Sequence, residues 1–194
     1  MTTTSTYIEN KENYILNGMT EEPLLLTDYS MKQRKSVRGI LLNERDQVLL
    51  VRHLDALPAD PTQPDVVAYW ATPGGGMEVG ESETEALQRE LQEELGLSEV
   101  EVGRCVGVRE VQLELPGIGS VLSHETYFLC RVKETPVLNY EGLSESERRT
   151  LQAIRWWSRQ ELAETSEILR PAALPELVAH ACSEERGVIM SISE

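Results

Sequence analysis

The sequence is poor in positive charge, in cysteine and in long apolar runs. Its 194 residues include 18 Lys+Arg against 33 Asp+Glu, and the resulting net charge of −15 repels duplex nucleic acid and acidic lipid surfaces. The three cysteines form no CxxC pair, so neither a disulfide framework nor a thiolate metal site is expected. No apolar run approaches the roughly 20 residues that span a bilayer, and the N-terminus lacks the pattern of a signal peptide. We therefore expect a cytoplasmic protein with no nucleic-acid partner and no membrane partner.

The order of the apolar runs predicts an α/β protein with a mixed sheet. Two runs separated by a short turn predict a buried hairpin at 37–43 and 48–53. Further strands are expected over 66–72, 100–115, 120–132 and 153–157, and helices are expected after Ser158 and over 174–182. The polar residues 133–150 predict a loop. Because strands and helices alternate without regular βαβ spacing, a layered mixed sheet is favoured over a doubly wound one.

The best-defined element is a helix that begins after Ser82. Ser82 and Glu85 have the spacing of a capping box, and Gly96 suits a left-handed C-terminal cap. At about 100° per residue, an apolar stripe and an acidic face lie side by side on this helix. The stripe consists of Leu87, Leu91 and Leu95, and the acidic face consists of Glu90, Glu93 and Glu94. The acidic face therefore borders the edge that packs against the sheet.

Three carboxylates on one helical face repel one another. Two such charges 6 Å apart repel by roughly 2.8 kcal/mol at an effective dielectric of 20, which weakens the helix or raises carboxyl pKa values. A hard divalent cation reverses this effect, and Mg²⁺ accepts carboxylates together with water and phosphate oxygens. Gly74 and Gly75, just upstream, allow the backbone to approach a metal or a phosphate closely. An isolated pair of glutamates would be read as a solvated helix face, so the interpretation depends on the whole pattern.

A 23-residue motif surrounds this helix. Residues 75–97 read GGMEVGESETEALQRELQEELGL, in which five residues separate Gly75 from Glu81 and seven more precede Arg89-Glu-Leu-Gln-Glu-Glu-Leu-Gly-Leu. The motif resembles the Nudix box of the Nudix hydrolases at every defined position. The approach Trp-x-x-Pro-Gly-Gly at 70–75 and the Trp-Trp-Ser end of the strand at 156–158 are also similar to that family.

The resemblance implies a Nudix-type α/β/α sandwich around a mixed β-sheet. It also implies a metal-dependent pyrophosphohydrolase, in which water attacks a phosphorus of a nucleoside diphosphate linked to another moiety. The required cofactor would be Mg²⁺, with Mn²⁺ as the alternative. Carried over to this sequence, Glu90, Glu93 and Glu94 would bind the metal, with the Gly74 or Gly75 carbonyl as an added ligand.

The resemblance also suggests supporting and catalytic roles. Arg89 and Glu81 would pair and brace the helix against the preceding loop. Glu93 or Glu90 would act as the catalytic base. Because relatives differ in which glutamate does this, three residues outside the box stay open as alternatives, namely Glu125, Glu145 and Glu147.

The sequence contains few signals that identify the substrate. The proline that marks ADP-ribose hydrolases is missing, and Gln112 stands in its place. Trp70 is the predicted residue for stacking on a base, although aromatic side chains more often pack in the core. The long loop 54–65, with three prolines and three aspartates, is the expected specificity element.

The expected organisation has three parts. An N-terminal extension over 1–35 precedes the Nudix domain over 36–165, and a C-terminal helical segment over 166–194 packs on that domain. A homodimer is expected by analogy alone. The alternative function is a catalytically silent Nudix-fold domain that binds nucleotides or regulates, which the complete set of box carboxylates disfavours.

Overall fold

Eight strands and four helices make up the described part of the chain. The computed structural model describes residues 31–55, 58–115, 117–133, 136–183 and 187–193. Residues 1–30 of the predicted extension lie outside the described residues. In chain order the elements are β1 (Lys32–Leu42), β2 (Val48–Leu54), β3 (Ala68–Ala71), α1 (Glu83–Leu95), β4 (Glu101–Leu115), β5 (Gly119–Arg131), α2 (Glu145–Thr150), β6 (Leu151–Trp157), α3 (Arg159–Glu164), β7 (Leu169–Arg170), α4 (Leu174–Ala181) and β8 (Met190–Ile192).

The strands form one mixed sheet. Its order is β7-β3-β2-β1-β5-β4-β8, and β6 pairs with β2 off this path. β1 runs parallel to β5 from Lys32 to Leu42, and β2 returns antiparallel to β1 with Val48 opposite Leu42. β4 and β5 form a long antiparallel hairpin. The predicted first hairpin and the predicted mixed sheet are confirmed.

The second half of β1 and the first part of β2 are mostly apolar because both of their faces are buried there. Successive side chains of a strand point to opposite faces, so the two strands supply two separate cores. One core joins these strands to α1 and includes Val37, Leu41, Leu49, Val51, Leu87, Leu91 and Leu95. The other joins them to α3 and α4 and includes Ile40, Leu42, Val48, Leu50, Leu162, Leu174 and Leu177. Helices therefore cover both faces of the sheet, which confirms the α/β/α sandwich.

Both ends of α1 are formed as the sequence predicts. The Ser82 hydroxyl accepts from the Glu85 amide at 3.3 Å, and the Glu85 carboxylate accepts from the Ser82 amide at 2.9 Å. Gly96 ends the helix with φ of 67°, a left-handed conformation that glycine adopts without steric cost. These caps satisfy backbone groups that a helix otherwise leaves unpaired, so α1 starts and stops at defined residues.

The prediction of a continuous loop over 133–150 is wrong from Glu145 to Thr150, where α2 forms. Ser144 and Glu147 make a further capping box, with the Glu147 carboxylate accepting from the Ser144 amide at 2.8 Å. The Ser-x-x-Glu spacing was present in the sequence. However, the six residues of α2 include no apolar side chain, so no helical periodicity marked them.

The C-terminal segment adds strands as well as the expected helix. β7 pairs parallel to β3, with Arg170 opposite Ala71, and β8 pairs parallel to β4. α4 buries Leu174, Leu177 and Val178 in the second core. Two- and three-residue strands are too short for sequence periodicity to detect. Among the described residues, no helix has both the length and the apolar character needed to cross a membrane.

Replacing Leu91 by alanine tests the packing of α1. Leu91 is fully buried, so Leu91→Ala should lower the free energy of unfolding by about 2–5 kcal/mol through lost burial and a residual cavity. Gln92→Ala, on the exposed side of the same helix, is the matched control and should change stability by less than about 0.5 kcal/mol. Urea denaturation of both variants provides the measurement, and equal effects would contradict the orientation of α1.

Candidate active site

The three carboxylates of the box lie at different depths on α1. Glu90 is 6% exposed and Glu94 is 4% exposed, whereas the Glu93 side chain is 41% exposed. The leucine stripe draws one side of α1 onto the sheet, and Glu90 and Glu94 border that stripe. Glu93, one position before Glu94, stays at the rim. The acidic face therefore has two buried carboxylates, Glu90 and Glu94, and one carboxylate that solvent can reach, Glu93.

The glycine loop before α1 lies along β1 like an additional strand. Val37 donates its amide to the Gly75 carbonyl at 2.9 Å, and Gly39 donates to the Pro73 carbonyl at 2.9 Å. Gly74 has φ of 127°, a conformation that other residues rarely adopt. A Cβ atom on Gly75 would lie 2.6 Å from the Glu90 carboxylate. Glycine at this position therefore lets the loop backbone and the Glu90 carboxylate meet.

Glu94 is bound to the same loop. Its Oε2 accepts a hydrogen bond from the Gly74 amide at 2.9 Å. Burial is the main cause that raises the pKa of Glu94 to about 8, and the Gly74 amide opposes the rise. Burial also raises the pKa of Glu90, against the influence of Arg89. Without an added cation, neutral Glu94 is favoured near neutral pH.

Arg89 connects the helix, the loop and two carboxylates. Its Nε and Nη2 donate to the two Glu81 oxygens at 2.7 and 3.1 Å, and Nη2 also donates to the Gly76 carbonyl at 2.9 Å. Its Nη1 donates to Glu90 at 2.9 Å and to Glu93 at 3.1 Å. The structure thus brings Arg89 and Glu81 together. Because one nitrogen contacts both Glu90 and Glu93, those carboxylates lie within two hydrogen-bond lengths of each other.

The donor chemistry of this face fits a hard divalent cation. Among the described residues, no group of three or more His, Cys, Asp or Glu side chains is already arranged as a metal cage, and Arg89 lies between Glu90 and Glu93. The Gly74 carbonyl accepts from Arg38 at 2.6 Å and the Gly75 carbonyl from Val37, so each retains one acceptor site. Adjacent carboxylates with raised pKa values are the donors that Mg²⁺ would stabilise in ionised form.

A cavity lined by arginines adjoins the glycine loop. It has a volume of about 110 Å³ and is lined by four arginines, two tyrosines and two acids, among other residues. The charged and aromatic lining residues are Arg34, Arg38, Arg109, Arg170, Tyr69, Tyr127, Asp60 and Glu125. Ala59 and Asp60 belong to loop 54–65, and the Ala59 carbonyl accepts from the Glu114 amide at 2.7 Å. A strongly acidic chain therefore presents a locally basic cavity beside its acidic helix.

Glu125 holds two of these arginines in place. One oxygen accepts from Nε and Nη2 of Arg38, both at 3.2 Å, and the other accepts from Arg109 at 3.2 Å and from the Tyr127 hydroxyl at 2.7 Å. Burial acts to raise the pKa of Glu125, but Arg38, Arg109 and Tyr127 outweigh it and the pKa is lowered. Glu125 therefore stays ionised. Its role as an arginine anchor was not predicted, although one acid within an apolar strand is a signal for a buried partner.

Three residues considered for the site make other contacts in the structure. Trp70 is 7% exposed in the second core, packs edge-on against Trp157 at 5.3 Å and donates Nε1 to Glu167 at 3.3 Å. These core contacts disfavour stacking on a base, and the substrate role of Trp70 stays a prediction. Glu145 and Glu147, two of the open alternatives for a base, pair with Arg149 and Ser144 at α2.

Comparison with known proteins agrees with this fold. The family model described as NUDIX domain matches residues 32–177. RNA pyrophosphohydrolase of Bartonella bacilliformis is 29% identical over 146 residues, which cover 72% of this chain and 68% of that protein. RNA pyrophosphohydrolase of Ruthia magnifica subsp. Calyptogena magnifica is 40% identical over 65 residues, which cover 34% of this chain and 30% of that protein.

A solved structure shows the same fold at low identity. The MutT protein from Methanosarcina mazei Go1 is similar with a TM-score of 0.57 at 21% sequence identity, covering 78% of this chain and 94% of that one. The family match extends beyond both limits of the predicted domain, 36–165. This chain belongs to the NUDIX domain family, and the family match together with the curated relatives identifies it as a Nudix hydrolase.

Stability in metal-free buffer should depend on the ionisation of Glu94. Folded protein keeps the Glu94 proton up to about pH 8, whereas unfolded protein releases it near the ordinary value of 4.5. The free energy of unfolding should therefore fall as pH rises through this window, by up to about 1.4 kcal/mol per pH unit. Glu94→Gln should remove that contribution.

Urea unfolding in EDTA at about pH 6 and about pH 8 measures this difference. The exposed Glu99→Gln variant is the control and should follow the wild type. A Glu94→Gln protein that loses as much stability as the wild type between these pH values would contradict the assignment.

Proposed function

We propose that this Nudix hydrolase is a metal-dependent pyrophosphohydrolase that cleaves a nucleoside diphosphate linked to another moiety. The observation that carries the proposal is the double contact of Gly74. Its amide binds Glu94 at 2.9 Å, and its carbonyl binds Arg38 of the basic cavity at 2.6 Å. One residue thus joins an acidic face suited to a cation to a basic cavity suited to phosphate. A pyrophosphate linkage needs both environments side by side.

Glu90, Glu93 and Glu94 would hold Mg²⁺, or Mn²⁺ in its place, with the Gly74 and Gly75 carbonyls as added ligands. When bound, the cation neutralises phosphate charge and lowers the pKa of a water molecule. Most of the acceleration in such a reaction is positional and electrostatic.

Glu93 is the proposed catalytic base, ahead of Glu90. Its side chain is 41% exposed at the rim, so a water molecule can reach it. The Glu90 side chain is only 8% exposed and lies against Gly75. Proton transfer requires the base to be within hydrogen-bond reach of the attacking water. The exposed position therefore favours Glu93 for this step.

Arg89 and Glu81 would act by positioning. The two Glu81 oxygens hold the guanidinium, which also binds the Gly76 carbonyl. The pair thereby fixes the distance between the loop and α1. The Nη1 contacts of Arg89 use only Oε1 of Glu90 and Oε2 of Glu93. The second oxygen of each carboxylate would therefore serve a cation while Arg89 stays held by Glu81.

The substrate is proposed as a small nucleotide derivative. The two curated relatives are RNA pyrophosphohydrolases by name, which argues for including 5′-triphosphorylated RNA beside small nucleotides. The net charge of −15 disfavours long polyanions, whereas a small phosphate compound meets only the local field of the cavity. A cytoplasmic location and a homodimer stay predictions.

Glu93→Gln tests the function. Turnover should fall by roughly a hundredfold to ten-thousandfold because the variant lacks the carboxylate proposed as base and ligand. The melting temperature should stay close to that of the wild type, since the side chain is half-exposed. Glu99→Gln, an exposed glutamate outside the box, is the matched control and should retain full turnover.

The assay is release of phosphate or pyrophosphate from a panel with Mg²⁺ or Mn²⁺. The panel contains nucleoside di- and triphosphates, nucleotide sugars, dinucleotides and 5′-triphosphorylated RNA. Near-normal turnover by Glu93→Gln would contradict the assignment. Nucleotide binding without turnover on the whole panel would favour the silent-domain alternative.

A further inference from the structure

Residues 137–143, the clasp, lie against the last turn of α1. Asn139 donates its backbone amide to the Glu94 carbonyl at 2.9 Å and its side-chain Nδ2 to the Gln92 carbonyl at 3.0 Å. The carbonyls of a last helical turn keep lone pairs that the helix itself does not use. The clasp therefore supplies hydrogen-bond donors to the end of α1 that carries Glu93 and Glu94.

The clasp is itself held in a defined conformation. The Asn139 carbonyl accepts from the Gly142 amide at 3.0 Å and from the Leu143 amide at 3.3 Å, which closes a turn. Leu143 is 3% exposed and belongs to the core that also buries the leucine stripe of α1. Leu138 packs against the same core. Because the residues on both sides of Asn139 are anchored beside α1, its side chain meets the helix at a fixed position.

Gly142 packs directly on the backbone of Glu93. A Cβ atom at Gly142 would lie 2.5 Å from the Glu93 carbonyl oxygen, 2.9 Å from the Glu93 Cα and 2.7 Å from Asn139 Nδ2. Contacts this short with backbone atoms cannot form unless the backbone shifts. Glycine at this position therefore lets the clasp touch the residue whose carboxylate is proposed as base and ligand.

The position of the Glu93 carboxylate depends on the backbone that carries it. The side chain is 41% exposed and pairs with Arg89, one turn earlier on the same helix. By contrast, the Glu94 carboxylate is held from outside the helix by the Gly74 amide. A misplacement of about 1 Å at a reacting group costs roughly a hundredfold in rate. Contacts that fix the backbone at Glu93 are therefore important to the site although they lie outside it.

We propose that the clasp is a positioning element of the active site and that Asn139 is its principal positioning residue. By holding two carbonyls of the last turn of α1, Asn139 keeps Glu93 and Glu94 in the arrangement that binds a divalent cation. The inference rests on the proposed function and deepens it, because Asn139 is 47 residues from Gln92 in sequence and lies outside the box. Asn139 acts through the backbone of α1, without touching the substrate or the cation.

Two substitutions disturb the clasp in opposite ways. Asn139→Ala removes the side-chain contact with Gln92 and keeps the backbone contact with Glu94, so it loosens the last turn. Gly142→Ala places a Cβ atom against the Glu93 carbonyl, so it pushes on the same turn. If Gly142→Ala does not fold, Asn139→Asp replaces it, because aspartate has the shape of asparagine without the donor.

Two controls accompany these variants. Glu141→Gln changes an exposed side chain of the same turn and should behave as the wild type does. Ser158→Ala removes the cap of α3, where the hydroxyl accepts from the Glu161 amide at 3.2 Å. It should lower the melting temperature by about 2–4 °C. Ser158→Ala therefore measures what a loss of stability alone does to the active site.

Binding of Mn²⁺ without nucleotide measures the effect on the metal site directly. Electron paramagnetic resonance of the full chain should show binding about tenfold weaker in Asn139→Ala and Gly142→Ala, as for other residues that support metal ligands. With saturating Mg²⁺, kcat of both variants should fall by about tenfold or more while KM for the nucleotide stays within about twofold. The two controls should retain wild-type Mn²⁺ affinity and kcat.

Hydrogen exchange in EDTA separates a local role from a global one. Asn139→Ala should speed exchange of the amides at 94–96, because the last turn of α1 opens more often without the side-chain contact. Ser158→Ala should speed exchange at α3 and leave the amides at 94–96 as in the wild type. Unchanged exchange at 94–96 in Asn139→Ala would overturn the inference.

The metal measurement distinguishes failure of this inference from failure of the proposed function. Wild-type Mn²⁺ affinity in folded Asn139→Ala, or equal weakening in Ser158→Ala, would overturn the positioning role and leave the proposed function standing. A wild-type protein that binds no Mn²⁺ and turns over no substrate would reject the proposed function and the positioning role together.

Discussion

Removal of Glu90 and Glu94 from water on one side of a single helix is the constraint on which the site depends. The leucine stripe of α1 contributes to the core, and it draws both carboxylates against the sheet. Burial raises the pKa of each carboxyl group. Their ionised forms therefore need positive charge or hydrogen-bond donors close by. Arg89 and the Gly74 amide meet part of that need, and a divalent cation would meet more of it.

The same arrangement explains how an acidic chain can take an anionic substrate. The net charge of −15 describes the field at long range, whereas a bound phosphate responds to groups within a few ångströms. Glu125 holds two positive charges at the cavity, because one of its oxygens binds Arg38 and the other binds Arg109. The acidic face of α1 and the basic cavity thus meet at Gly74, whose amide binds Glu94 and whose carbonyl binds Arg38.

Local signals made much of the fold predictable. The caps of α1, its leucine stripe and the apolar runs of β1 and β2 depend on neighbours in sequence, and the structure confirms them. The box likewise indicated which carboxylates share a face. The strands β7 and β8 were not predicted because they have too few residues for a period, and α2 was not predicted because it has no apolar side chain. The basic cavity could not be predicted for a different reason. Its arginines come from β1, β4 and β7, which only strand pairing brings together. The role of Trp70 stays a prediction, because neighbouring sequence does not tell a buried indole from a stacking one and the structure places this indole in the second core.

The central claim is that a divalent cation completes the acidic face of α1 beside Arg89. Crystals grown with Mn²⁺ and measured at the manganese absorption edge test it most directly. The account predicts an anomalous peak within bonding distance of carboxylate oxygens of Glu90, Glu93 and Glu94, with the Arg89 guanidinium still held by Glu81. Saturating Mn²⁺ that left this face without a peak would contradict the account.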